Sequence, residues 1–161
     1  GLFPLERSWY WAALCSLTAE QRHGLSPELS EGFPPPQPPE VQRKLLLLYQ
    51  GDGGAEADGD DLLRAARTLA AEFGIAADPT IVKSLLCVWM LNCFEYSEAP
   101  RRYAVYFLPS FMSHSCLPSA VWALDDSGRY SLRARRDLEV GDEIAISYLS
   151  EDMLLSPASE R

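Results

Sequence analysis

The apolar period of this chain changes at Pro100, and no other feature constrains its fold so strongly. Before it, apolar residues recur at intervals of three and four; after it they alternate. Residues 7–23 carry Trp9, Ala12, Ala13 and Leu17 at helical spacing, with Gly24 as a stop. A short helix is expected over residues 40–50. Residues 61–73 carry a stripe of Leu62, Leu63, Ala66, Leu69 and Ala70, closed by Gly74. Asp78-Pro79-Thr80 opens a helix that takes Leu85, Leu86, Val88, Trp89 and Leu91 towards Tyr96. It is apolar nearly all round, so it is the expected central helix. Strands follow over residues 103–108, 120–125, 129–135 and 143–148, with turns at Asp125-Asp126-Ser127-Gly128 and Glu139-Val140-Gly141-Asp142. Ser150 then reads as the cap of a last helix. The fold class is α+β, with a helical first half followed by short antiparallel strands.

Two segments interrupt the helical half. Residues 32–40 hold five prolines among few amide donors and are expected to run extended, as a linker or surface strap. Binding of that run to a proline-reading domain is the less favoured use. Residues 51–61, rich in glycine, alanine and acids, bury too little apolar area to offset their ordering entropy and are expected to be mobile. A length of 161 residues with 47% hydrophobic content suits one ordinary domain. The net charge of −9 disfavours nucleic acid and favours a basic partner such as a lysine-rich segment. Of the 23 acidic residues, 14 precede residue 101, so the acidity lies mainly in the first part. The four cysteines show no short paired spacing, which points to an intracellular, reducing compartment. There is no signal-peptide layout and no run of membrane-spanning length. The start, without an initiator methionine, reads as a soluble segment of something longer.

Residues 108–119 exceed what packing alone requires. His114, one of only two histidines, stands between Ser113 and Ser115, with Cys116 next and Pro118 forcing a turn. Taken singly, His114 reads as a satisfied structural histidine and Cys116 as a buried thiol. Tyr148 alone is an ordinary strand tyrosine, and Gly141-Asp142 an ordinary hairpin turn. A serine or cysteine hydrolase fails on geometry, because adjacent residues of an extended segment point in alternate directions and no nucleophile elbow is present. A helical scaffold with the β-rich end as a mere cap is a further reading of the same pattern.

Taken jointly, these residues resemble a known family. Ser113-His114-Ser115-Cys116-Leu117-Pro118-Ser119, Leu132-Arg133-Ala134, and the run from Asp137 through Gly141-Asp142-Glu143-Ile144 to Tyr148 are similar to the C-terminal half of the SET domain, above all to the SET and MYND domain family of protein lysine methyltransferases. There the first motif usually reads Asn-His-Ser-Cys-x-Pro-Asn, and the second Gly-Glu-Glu, a strand and a tyrosine. The likeness reaches back to Leu91-Asn92-Cys93-Phe94 and forward to residue 161. It divides the chain into an insert-like helical region, residues 1–97, and the C-terminal part of a SET domain, residues 98–161, with a pseudoknot-like motif.

The resemblance implies transfer of a methyl group from S-adenosylmethionine to a lysine amine of a histone or another protein, in nucleus or cytoplasm, with no membrane and no direct nucleic acid involved. An in-line displacement at a sulfonium methyl needs aligned reactants and a neutral amine, not a triad. Carried over residue by residue, Ser113 and His114 fall where the family holds the cofactor, with Ser110 and Asn92 as further candidates. Tyr148 falls beside the transferring methyl and Phe94 along the lysine channel. Cys116 falls at a position that joins three later cysteines around a structural zinc, so it is a metal ligand only where such a cysteine-rich tail is present. Ser113 and Ser119 replace the motif's two asparagines, and a hydroxyl offers less than a carboxamide. The family's glycine-rich cofactor segment is also missing, so this stretch alone is expected to be inactive. The rival reading is a SET-like module without turnover that serves as a protein-interaction scaffold.

Overall fold

The computed structural model describes residues 4–26, 30–51, 58–98, 100–157 and 159. In chain order these form α1 (Arg7–Cys15), α2 (Pro39–Leu45), α3 (Asp58–Phe73), α4 (Pro79–Asn92), β1 (Cys93–Glu98), β2 (Arg101–Val105), a 3₁₀ turn (Pro109–Phe111), β3 (Ala120–Leu124), β4 (Tyr130–Ala134) and α5 (Glu151–Leu155). The chain divides into two units, Gly1–Cys93 and Phe94–Arg161.

The first unit is built on α4. Asp78 caps it, accepting from the Thr80 amide at 2.8 Å, and Pro79 sits in the first turn. Its Val82, Leu85 and Leu86 are fully buried with Tyr10, Leu14 and Leu17 on one side and Leu69 on another, so the expected central helix is central. Each such aliphatic side chain contributes about 1.5–3 kcal/mol of burial.

Helix α1 stops at Cys15, well short of the expected end at residue 23. The reason lies at residues 18–21. The Thr18 amide donates to Gln21 Oε1 at 3.0 Å and the Gln21 amide to Thr18 Oγ1 at 3.5 Å, a reciprocal pair that opens a fresh turn where the apolar period ran on unbroken. Helix α2 ends at Leu45 rather than residue 50, and its buried Gln42 donates at 3.0 Å to the Ser16 carbonyl at the end of α1. Of the segment expected to be mobile, residues 52–57 lie outside the described residues, while residues 58–61 form the first turn of α3. Gly74 closes α3 at φ 64°, and the Ile75 amide reaches back to the Ala70 carbonyl at 2.9 Å. Helix α4 ends at Asn92, and the chain turns extended at Cys93 (φ −82°, ψ 152°), so the expected run of helix to Tyr96 is instead strand β1.

In the second unit β1 pairs with β2, and β3 pairs antiparallel with β4. The register of the second ribbon sets Val121 opposite Arg133, Trp122 opposite Leu132 and Leu124 opposite Tyr130. The hairpin turn is closed by Asp125, whose carboxylate accepts from the amides of Ser127 at 3.0 Å and Arg129 at 2.9 Å. Phe94, Tyr106, Trp122 and Tyr130 pack their rings together, with Phe94 edge-on to the other three at 5.2–5.7 Å. The first expected strand, residues 103–108, lies partly in β2 and ends in the 3₁₀ turn. The last, residues 143–148, forms no strand; it runs extended past residues 113–115 with one parallel bridge, His114 to Ile146. Ser150 caps α5 as the sequence predicts, its hydroxyl accepting from the Met153 amide.

Candidate active site

The crossing of residues 113–115 with residues 145–148 is the feature that gathers polar groups. The Ile146 amide donates to the Ser113 carbonyl at 3.0 Å, and the Ser115 amide to the Ile146 carbonyl at 2.9 Å. Ile146 is fully buried beneath them. Ser119 pins the far side: its buried hydroxyl donates to the Glu143 carbonyl at 3.0 Å and accepts from the Ala145 amide at 2.9 Å. The short Ser119 side chain allows this close approach of two segments of the chain.

Two of the expected site residues meet at this crossing. The Tyr148 amide donates to His114 Nδ1 at 3.0 Å, and the two rings lie 5.4 Å apart. An Nδ1 that accepts must carry no proton, so the neutral imidazole bears its hydrogen on Nε2. That nitrogen lies 3.4 Å from Cys116 Sγ. The Tyr148 phenol donates to the Met112 carbonyl, and the residue remains 63% exposed. Ser113 is exposed, with its backbone carbonyl engaged in the crossing. The Ser110 hydroxyl donates at 2.8 Å from the 3₁₀ turn back to the Tyr106 carbonyl. Phe94 stands in the aromatic cluster of the same unit.

Asn92 belongs to the first unit. It is buried, and its carboxamide nitrogen donates to the carbonyls of Tyr49 at 2.8 Å and Val88 at 2.9 Å, tying the end of α4 to the segment after α2. For zinc, the described residues supply one thiol beside one imidazole, and no group of three or more histidine, cysteine or acidic side chains is placed to hold a metal ion. That set does not fit a structural zinc, which takes four ligands.

One residue of the site carries no motif. The Trp122 indole nitrogen donates at 3.0 Å to the Ser147 carbonyl, directly before Tyr148. A tryptophan at an inward position of a short strand needs such an acceptor, and that alone is the signal in the sequence.

A chain of this architecture, with a histidine and a tyrosine brought together where two segments cross, belongs to the SET domain family, whose sequence model matches residues 15–149. Among curated proteins it is similar to histone-lysine N-methyltransferase ASHR2 of Arabidopsis thaliana, at 26% identity over 145 residues, covering 73% of this chain and 36% of that protein. It is also similar to histone-lysine N-methyltransferase ATXR4 of the same plant, at 42% identity over 53 residues, covering 32% of this chain and 16% of that protein. The chain thus spans about a third or less of these relatives' length. The family shown is that of the SET domain, with helices and short antiparallel strands as expected, and both relatives are named as histone-lysine N-methyltransferases. No helix among the described residues is long and apolar enough to cross a membrane.

Proposed function

We propose that the protein of which this chain is a part transfers methyl groups from S-adenosylmethionine to a lysine of a histone or another protein, in the nucleus or cytoplasm. The observation that carries the reading is the His114–Tyr148 pair at the crossing, inside a chain of the SET family. Ser113 and His114, with Ser110 behind them, are assigned to the cofactor, Tyr148 to the neighbourhood of the transferring methyl, and Phe94 to the lysine channel. The exposed Ser113 hydroxyl and the exposed aromatic faces of Phe111 and Tyr148 fit a ligand that is part polar and part cationic. When bound, that cofactor supplies a methyl group activated by its sulfonium, and a neutral lysine amine displaces it in line. The chain's own residues orient Tyr148 through its amide and phenol, and the charge of −9 favours approach of a basic, lysine-bearing segment. The largely helical residues 1–97 read as an insert-like region of the SET domain. Residues 98–161 read as its C-terminal part.

Calorimetric titration of S-adenosylmethionine into the intact protein, beside the same protein with His114→Ala, tests the reading. Micromolar binding that the substitution abolishes supports it. No binding by the folded wild type sinks it and favours the scaffold reading, for which the observation is Ser113, one short hydroxyl where the family motif has a carboxamide.

A further inference from the structure

The peptide unit between Ser147 and Tyr148 is held at both ends by aromatic side chains. Its N–H donates to His114 Nδ1 at 3.0 Å, and its C=O accepts from Trp122 Nε1 at 3.0 Å. A trans peptide points these two groups in opposite directions within one plane, so the two bonds together restrict how that plane can turn and hence the direction in which Tyr148 leaves the backbone. The donor on Trp122 is itself fixed. Val121 and Ala123 face outward on β3, which turns Trp122 to the inner side of the ribbon. There its ring stacks near Tyr130 at 6.1 Å with 8° between planes, and meets Phe94 edge-on at 5.2 Å. Indole nitrogen can only donate, so Trp122 cannot exchange this role for another. A carbonyl that accepts a hydrogen bond also makes its own N–H a better donor, which reinforces the bond to His114.

We infer that Trp122 is a positioning residue for Tyr148, and that its ring references the tyrosine to Phe94, the residue assigned to the lysine channel. The catalytic consequence rests on the proposed methyltransferase reading; the structural one does not. One indole ties the backbone before Tyr148 to the aromatic wall, so loss of the N–H lets the two drift independently, and a small misalignment of an in-line transfer lowers its rate.

The test uses the intact protein and the variant Trp122→Phe, which keeps a ring against Phe94 and Tyr130 and removes the donor. Amide exchange at Tyr148, followed by nuclear magnetic resonance, is expected to quicken by about tenfold or more, since the opening free energy of that amide falls with the loss of one bond. In methyl transfer, kcat is expected to fall about tenfold while KM for the protein substrate stays within about twofold, a split that general loosening would not produce. Unchanged exchange at Tyr148 overturns the inference. A wild type that folds but transfers no methyl to any lysine substrate defeats the enzyme reading only, and the exchange comparison still decides the role of Trp122. Should Trp122→Phe lose its cooperative thermal transition, the wild type decides: its Trp122 indole N–H must exchange more slowly than that of the half-exposed Trp11, and equal rates refute the proposal.

Discussion

His114 is read from both ring nitrogens, one by a backbone amide and one by a thiol. The residue types and their order at 113–119 were enough to single it out, and Tyr148 with it, because the motif is local at each end. The contact between them was not legible, since the hydrogen bond spans 34 positions and no period reports it. Ser113 and Ser119 make the same point more sharply. They stand at equivalent departures from one motif, yet Ser119 is buried with its hydroxyl holding two backbone groups, while Ser113 is exposed. Only the fold separates the structural serine from the available one. At this scale Asp125 gives a prediction with a definite sign. The Ser127 hydroxyl first, and then the Arg129 amide, donate to its carboxylate and hold it down at about 2 against an ordinary 3.8. A folded value below the unfolded one adds stability above the unfolded value, and that stability is lost as pH falls through the folded one. Amide protection at Ser127 and Arg129 is therefore expected to fall between about pH 4 and pH 2, and Asp125→Asn to abolish that dependence; a flat profile in the wild type contradicts it.

Among elements, the start of α4 and the end of α3 were readable because a local signal agrees with the apolar stripe: Asp78 with Pro79 opens α4, and Gly74 ends α3. Where such signals conflict, apolar period misleads. It ran through the Thr18–Gln21 pair and hid the end of α1, and it carried α4 past Asn92 although Phe94 and Tyr96 suit an extended chain. The extended stretch at 143–148 looks like a strand in sequence, yet it spends its hydrogen bonds on the crossing rather than on a ladder. The close of α3 is also where two loops touch. A Cβ on Gly74 would stand 2.6 Å from the Gly24 carbonyl oxygen, and the residue lies at φ 64°. Gly74→Ala is expected to cost about 1–2 kcal/mol from the left-handed backbone alone, with the crowding adding to it. Chemical denaturation of the variant measures this, and an unchanged midpoint would show that the loop yields freely.

Across the whole molecule, burial is uneven. Among the described residues, all fully buried apolar side chains except Ala120 and Ile146 belong to the first unit. The second unit relies on its aromatic cluster and on the crossing, while Leu108, Phe111, Leu117 and Tyr148 remain exposed. Amide exchange by mass spectrometry is expected to show stronger protection in α3 and α4 than in β3 and β4, because local opening is easier where fewer apolar side chains are buried. Equal protection in both units would refute that ordering. The α+β class and the family were legible from the change of period at Pro100 and from two motifs in the right order. The distribution of burial was not, because apolar content measures what a chain is able to bury and not where partners for it are found.

The crossing also dictates when it is made. His114 and Tyr148 are separated by 34 positions that include the entire β3–β4 hairpin, and Ser119 meets Ala145 only once that hairpin has shortened the span. Hairpins close in about 1–10 μs, whereas the ribosome adds about 5–20 residues per second. On a nascent chain, His114 therefore emerges seconds before the tyrosine that will read its ring, and throughout that interval the imidazole is free to take either tautomer. The histidine acquires its fixed chemistry in one event, when the last strand-like segment docks beside residues 113–115.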